Sequence, residues 1–381
     1  MSRSGLRVLV NAGPWLPVPP AGYGGIETVV ATLVPELRRA GVHVTLATVG
    51  PSTLEADDYL RPLAEPAFRS IAMPYNRVSG IAHAHMQGLV DALRDGGRWD
   101  LVHDHLEVVG PSVLGAMGTA APPTLQTLHW DLRKHADFYS AFDGRGRVAF
   151  AAVSASQRDR APENLRRQTL GVVPLAAPPG LEVDVPPGEH ALVLARITAD
   201  KGQDVAARIC RRAGIPLVLA GPVAGIGDPE ELHRRLAEGD QALAAHPDVQ
   251  YYLDEVRPLL DGTAVSWVGG VEGERKERLL RSARALLTPN RWAEPGATGV
   301  VEALARGVPV VGTPLGVLPS LVEHGRTGFL AAGEDELVRH LQEIDRLDPQ
   351  ACRAAAEQWT PAGMARQYLD LYDRLLEANP A

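Results

Sequence analysis

Two glutamates, Glu294 and Glu302, bracket the stretch Pro295-Gly296-Ala297-Thr298-Gly299 and run into the apolar Val300-Val301-Glu302-Ala303-Leu304. The small residues would open a helix whose first N–H groups lack intrahelical acceptors, so Ala297, Thr298 and Gly299 could hold an anion, aided by the helix dipole. Glu294 would close the loop before that helix, and Glu302 would lie about a turn inside it. A helix with one acidic residue near its start explains Glu302 but not the Pro-Gly-Ala-Thr-Gly turn. A second set, Arg196 and Lys201, lies in Ala195-Arg196-Ile197-Thr198-Ala199-Asp200-Lys201-Gly202. On a strand-to-helix loop these two cations could grip a diphosphate, Arg196 as a fork and Lys201 as a point charge. On spacing alone a solvated loop is an equal alternative. Only three of the 38 basic residues are lysines, Lys134, Lys201 and Lys276, which singles out any lysine in a motif. Near the N-terminus, Pro20-Ala21-Gly22-Tyr23-Gly24-Gly25-Ile26-Glu27 would let backbone approach a ligand closely. Its spacing is not G-x-G-x-x-G, and a tight turn also accounts for it.

The elements that must position these residues alternate short apolar runs with amphipathic stretches, the pattern of βαβ units on a parallel sheet. Strands are expected at Val8–Ala12, Val42–Val49, Leu101–His103, Thr124–Leu128 and Val148–Val153. A helix with Ile26, Val29, Val30, Leu33 and Leu37 on one face follows the first glycine-rich loop. The proline-rich stretch from Pro174 to Glu189 reads as a linker. The pattern then restarts, with strands at Ala191–Ala195, Pro216–Ala220, Ser266–Val268, Ala285–Thr288 and Pro309–Gly312 and a helix over Lys201–Ala213. The last segment puts Met364, Tyr368, Leu371, Tyr372 and Leu375 on one helical face. In such doubly wound halves a ligand is expected at the carboxyl ends of the strands, in the cleft between them.

Composition narrows the function classes. The 381 residues are 45% apolar and 22% charged, a globular balance that suggests two domains. No apolar run reaches the ~18–20 residues of a membrane span, and the N-terminus lacks the features of a signal peptide, so a cytoplasmic protein is expected. A net charge of −8 and the absence of a basic run argue against nucleic acid. Two cysteines, Cys210 and Cys352, make no disulfide framework and no zinc spacing. His103-Asp104-His105 looks like a metal pair, but the two rings are expected on opposite faces, with His105 the one to line the cleft. Arg158, Arg160, Arg166 and Arg167 read chiefly as the solvated face of a helix, so at most weak membrane association is expected. Trp15, Trp130 and Trp292 flank the candidate loops and would serve packing or sugar stacking equally well.

Taken together, these segments resemble glycosyltransferase family 4, the retaining nucleotide-sugar transferases of GT-B fold. Glu294 and Glu302 match its E-x7-E motif, Arg196 to Gly202 its G-R-x-x-x-x-K-G segment, and Gly24-Gly25-Ile26-Glu27 its G-G-x-E loop. Val308 to Thr313 and Glu323 to Phe329 also follow the family pattern, and the subgroup it is most similar to includes an avilamycin-pathway enzyme. The resemblance implies an α/β architecture of two Rossmann-like parallel-sheet domains facing across a cleft: an acceptor domain (1–176), a linker (177–189) and a donor domain (190–360), with the C-terminal helix (361–381) crossing back to the first. It implies that Arg196 and Lys201 bind the donor diphosphate, that Glu302 meets the ribose, and that Glu294 contacts the transferred sugar. Ala297, Thr298 and Gly299 would supply N–H groups, Gly24 and Gly25 would approach the diphosphate, and His129, in Thr127-Leu128-His129-Trp130, would lie near the sugar. A structural histidine is the alternative for His129. The sequence departs from the family at Gly296-Ala297, where a phenylalanine and a glycine are usual, and at Ala195. It also lacks the usual Asn-Gly near Val172-Val173-Pro174.

Releasing a nucleoside diphosphate requires about one extra negative charge to be stabilised. No Asp-x-Asp metal motif occurs in the chain, the nearest being Glu182-Val183-Asp184. Fixed cations and a helix terminus can serve instead, each preorganised donor contributing ~3 kcal/mol. The expectation is metal-independent transfer without a cofactor, from a UDP-sugar to a small-molecule or saccharide acceptor, by a front-face route that retains configuration. The rivals are a sugar-nucleotide epimerase on the same fold and a non-catalytic nucleotide-sugar-binding module. A nicotinamide oxidoreductase is disfavoured by the missing G-x-G-x-x-G.

Overall fold

The computed structural model describes residues 5–22, 24–70 and 75–380. Its contacts divide the chain into two compact units, Met1–Pro20 with Gly24–Pro178 and Trp359–Ala381, and Ala21–Tyr23 with Pro179–Gln358.

The first unit is built on a seven-stranded parallel sheet, ordered β3-β2-β1-β4-β5-β6-β7. The strands are β1 (Arg7–Asn11), β2 (His43–Val49), β3 (Asp58–Leu63), β4 (Leu101–Asp104), β5 (Thr124–Leu128), β6 (Val148–Ala152) and β7 (Thr169–Val172). Central strands covered on both faces read as unbroken apolar runs, and Val8, Leu9 and Val10 are all fully buried. Val8 and Val10 pack with Leu33 and Leu37 of helix Gly25–Arg39. Leu9 packs on the other face with Met86 and Leu89 of helix Tyr75–Arg94. The C-terminal helix, Pro361–Glu377, begins at a Thr360 side chain that accepts from Gly363 N–H, with Pro361 in its first turn. The apolar face expected from its spacing is buried from Met364 to Leu375, so the chain's end completes the core of its first half. No described helix is long and apolar enough to cross a membrane.

The second unit carries a six-stranded parallel sheet, ordered β10-β9-β8-β11-β12-β13. Its strands are β8 (Ala191–Leu194), β9 (Leu217–Ala220), β10 (Val265–Trp267), β11 (Ala285–Thr288), β12 (Val310–Gly312) and β13 (Gly328–Leu330). Val193, Leu219, Leu287 and Val311 meet Ile209 and Cys210 of helix Gln203–Ala213.

Three local expectations are corrected. The helix expected from Lys201 starts at Gln203, because Ala199–Lys201 form a single 3-10 turn and Gly202 adopts φ 68°. A Cβ at Gly202 would stand 2.3 Å from the Pro289 carbonyl oxygen, so this corner demands glycine and leaves Lys201 in the turn ahead of the helix. The arginine-rich stretch is two short helices, Ala155–Asp159 and Glu163–Gln168, parted just before Pro162. Its charges pair locally, Arg158 with Asp159 and both Arg166 and Arg167 with Glu163. The rings of His103 and His105 do not point apart: their centroids lie 4.3 Å from each other. Residues two apart on an extended chain share a face, so both rings lie on one side, and His105 is buried rather than lining a surface.

Candidate active site

In the second unit, the loops leaving β8 and β11 converge at the carboxyl ends of their strands. Lys201 Nζ ion-pairs with the Glu294 carboxylate, and both side chains are largely buried. The same carboxylate accepts from the Trp292 indole N–H at 3.1 Å, and Lys201 Nζ stands 5.3 Å from the centre of the indole. Helix Thr298–Ala305 starts alongside, with Ala297 left-handed at its cap. Lys201, Glu294, Ala297 and Gly299 share the lining of a cavity of ≈ 50 Å³ floored by Leu194 and Thr288. The arrangement gathers one ammonium, one carboxylate and the open end of a helix, groups that can hold an anion beside a hydroxylated ring.

The other donor-loop residues are held apart from that cluster. Arg196 is outside the cavity lining; its Nη1 is 3.9 Å from Asp248, and its carbonyl accepts from Gln203. Glu302, inside the helix, ion-pairs with Lys276 at 2.6 Å. Thus two of the three lysines face the two motif glutamates. A broader, open depression of ≈ 490 Å³ borders Val268, where Arg275 donates to the Val268 carbonyl and Arg278 pairs with Glu274.

Arg291 ties the two loops together, and nothing in its sequence setting marks it. Its backbone N–H donates to Asp200 O, and its guanidinium reaches Ala199 O and the Asp204 carboxylate. Burial alone would push Asp204 up, but hydrogen bonds from Arg291, Tyr251 and Arg208 outweigh it and bring the carboxyl down to about 2. The charged Asp204 is therefore a fixed anchor under the Lys201 corner.

In the first unit, a buried polar network fills the ends of β1, β4 and β5. Asn11 donates to Asp104 at 2.6 Å and accepts from His85 and from Gly13 N–H. The Tyr372 hydroxyl meets His103 Nδ1 at 2.6 Å, while His103 Nε2 meets Thr127, which bonds Tyr368. The C-terminal helix thus sets the orientation of a β4 side chain. His129 follows β5, and its Nε2 lies 2.8 Å from His105 Nδ1. Glu107 accepts from the backbone N–H of both His129 and Trp130, and Gln157 donates to the carbonyls of Leu128 and Trp130, so the His129 turn is held from both sides. Burial pushes Glu107 and Asp104 up to about 7 and holds His103 and His129 down to about 3. Among the described residues no cluster of three metal-ligating side chains occurs. Trp130 stacks with His135 and lies under Lys134, while Trp15 is buried in the core. At the start of helix Gly25–Arg39, Gly24 has no room for a side chain against Pro20, whereas a Cβ on Gly25 would meet nothing within 4 Å.

Residues 187–359 match the family described as glycosyl transferases group 1, and residues 23–175 match glycosyltransferase family 4. The chain joins a family 4 glycosyltransferase domain to a group 1 glycosyltransferase domain. Among its curated relatives, a D-inositol 3-phosphate glycosyltransferase of Streptomyces scabiei is 25% identical over 82% of this chain and 76% of its own length. A phosphatidyl-myo-inositol mannosyltransferase of Mycobacterium leprae is 25% identical over 82% and 80%. Among solved structures, AviGT4, a glycosyltransferase involved in avilamycin A biosynthesis, is 26% identical, with a TM-score of 0.62 over 98% of both chains. HepE from Anabaena, solved with UDP-glucose, superposes with a TM-score of 0.62 over 97% of this chain and 100% of its own, at 15% identity. The two Rossmann-like units are therefore those of the GT-B fold, and the chain is a glycosyltransferase. Within this glycosyltransferase, Lys276, Arg291 and Glu107 are the neighbours of the motif residues to which sequence reasoning gave no role, while His105 was expected to line the cleft and instead meets His129. Only Lys276 carried a signal, its rarity in a chain of arginines.

Proposed function

We propose that this glycosyltransferase is a cytoplasmic enzyme that moves a sugar from a nucleoside-diphosphate donor, a UDP-sugar first, to a small-molecule or saccharide acceptor, retaining configuration and needing no metal. The observation that carries the reading is the meeting of Lys201, Glu294 and the opening of helix Thr298–Ala305 in one cavity. A diphosphate carries more charge than a carboxylate, so it would draw Lys201 from Glu294 and free Glu294 to accept hydrogen bonds from the sugar hydroxyls. Arg196 would close on the phosphates, Thr298 and Gly299 would offer N–H groups to them, with Ala297 at the turn, and Glu302 would accept from the ribose. Gly24 and Gly25 would receive the diphosphate closely, and His129 would stand by the transferred sugar. In this reading residues 190–360 bind the donor and residues 1–176, with the C-terminal helix, bind the acceptor.

The UDP assignment draws support from HepE, whose structure holds UDP-glucose. The acceptor class draws support from AviGT4 and the inositol-phosphate relatives. Chemically, the bond from the anomeric carbon to the phosphate oxygen breaks as the acceptor oxygen bonds to that carbon from the same face. The acceptor proton passes to the departing phosphate oxygen, and Lys201, Arg196 and the helix terminus stabilise the charge developing there.

Turnover of a UDP-sugar panel with EDTA present, in the wild type and in Lys201→Ala and Glu294→Ala, tests the reading. Each substitution is expected to lower turnover about 10²–10³-fold, the scale of losing one preorganised donor, with no effect of EDTA. Unchanged turnover in both variants would contradict the site, and loss with EDTA would contradict the metal-free route.

A further inference from the structure

The ring-to-ring hydrogen bond between His105 and His129 decides what His129 can offer a ligand. His105 Nδ1 and His129 Nε2 are 2.8 Å apart, with the rings inclined by 28°. Burial holds His129 down to about 3 and His105 well below its ordinary value, so neither ring is a cation at neutral pH. A neutral imidazole has one N–H and one lone pair, so two arrangements are possible. Were His129 to donate from Nε2, the single proton of His105 would sit on its own Nε2. That nitrogen is buried and meets no partner. Its neighbour His103 cannot help, because both of its nitrogens are engaged, by Tyr372 and Thr127. If His105 donates from Nδ1 instead, its Nε2 is left as a bare lone pair. Buried N–H groups without acceptors are rarer and costlier than under-used acceptors.

We propose that His105 is a positioning residue that donates its Nδ1 proton to His129 Nε2 and so fixes His129 as the Nδ1–H tautomer. The His129 backbone is held by Glu107, and its ring stacks on that of His105 with centroids 5.1 Å apart. His129 itself is part-buried, and its Nδ1 has no partner among the described residues. That edge therefore presents an N–H rather than a lone pair. His129 is a hydrogen-bond donor for a sugar hydroxyl or phosphate oxygen, and it is not set up to act as a general base. The functional half of the inference rests on the placement of His129 beside the sugar; the tautomer does not.

The test is long-range proton–nitrogen NMR of the full-length chain labelled with ¹⁵N-histidine, with His129→Gln assigning the signals. The expected pattern has His129 Nδ1 protonated and Nε2 unprotonated at pH 7.5. A proton on His129 Nε2 in the wild type overturns the proposal, whatever the variants do. His105→Asn keeps an N–H near the same place and should preserve both the pattern and turnover within a few-fold. His105→Asp, an acceptor when ionised, should move the His129 proton to Nε2 and lower turnover about 100-fold. An Asp variant that folds and keeps the wild-type pattern also overturns the proposal. If its proton moves while turnover stays at the wild-type level, the tautomer assignment is upheld, and the placement of His129 beside the sugar falls instead.

Discussion

Ala297 shows how a single residue records the family site and departs from it. Its backbone lies at φ 51°, ψ 53°, the left-handed region where a Cβ costs roughly 1–2 kcal/mol. The turn keeps the shape that a glycine would favour, although the sequence has moved its glycine to position 296. Ala297→Gly is therefore expected to raise stability by up to about 1 kcal/mol, a rise of a few degrees in melting temperature. An unchanged or lower melting temperature would mean that the turn bears no strain. At this scale the motif residues were legible because each set is a short, recognisable pattern within one segment, although their partners lie elsewhere, Lys201 meeting Glu294 and Glu302 meeting Lys276. Arg291 was not, because it belongs to no such pattern and the carboxylate that explains it, Asp204, lies 87 positions away in helix Gln203–Ala213. His105 was misread because residues two apart were assigned to opposite faces, whereas on an extended chain they share one, as the 4.3 Å between the two rings shows.

At the scale of elements, central strands and amphipathic helices were readable from periodicity, and the edges were not. β3 (DYLRPL) is largely solvent-facing and contains Pro62, so it shows neither an apolar run nor a clean alternation. β7 (TLGV) is half-buried and short for the same reason of position. The C-terminal helix was readable from five apolar residues on one face, but its polar function was hidden among them. Tyr368 and Tyr372 belong to that apolar face and also deliver hydroxyls to Thr127 and His103. Tyr372→Phe keeps the packing and leaves His103 Nδ1 without its partner. We expect it to lower unfolding free energy by about 1–3 kcal/mol, measured by urea denaturation. A loss below a few tenths of a kcal/mol would show that the hydroxyl does not hold the helix to the histidine.

At the scale of the whole molecule, buried titratable groups of opposite sense shape stability against pH. Burial raises Glu27, Asp104 and Glu107 to about 7, so the folded chain keeps protons that the unfolded chain releases above about pH 4. Their contribution is full below that pH and is lost as pH rises towards 7. Burial lowers His85 to about 4 and His103 and His129 to about 3, so their contribution is full above about pH 6.5 and is lost as pH falls. Between about pH 4.5 and 6.5 the two slopes oppose each other. Below pH 4 the carboxyl contribution has saturated, the histidine loss continues, and Asp204, held near 2, begins to lose its bridges as it protonates. The melting temperature should thus vary little from pH 5 to 8 and fall steeply below pH 4. A steep, steady climb from pH 5 to 7 would show that the carboxyls are ionised in the fold without penalty.

The most direct measurement of the donor site is the melting temperature of the wild type and of Lys201→Ala with UDP, GDP, dTDP, ADP and NAD, each in the presence of EDTA. A nucleotide at about 100 times its dissociation constant stabilises by ~2.7 kcal/mol, enough to see as a shift. The account predicts a shift with UDP in the wild type, unaffected by EDTA and largely abolished by Lys201→Ala. Silence from every diphosphate, a shift that EDTA removes, or an equal shift in the variant would contradict a cation-based site built on Lys201 and the opening of helix Thr298–Ala305.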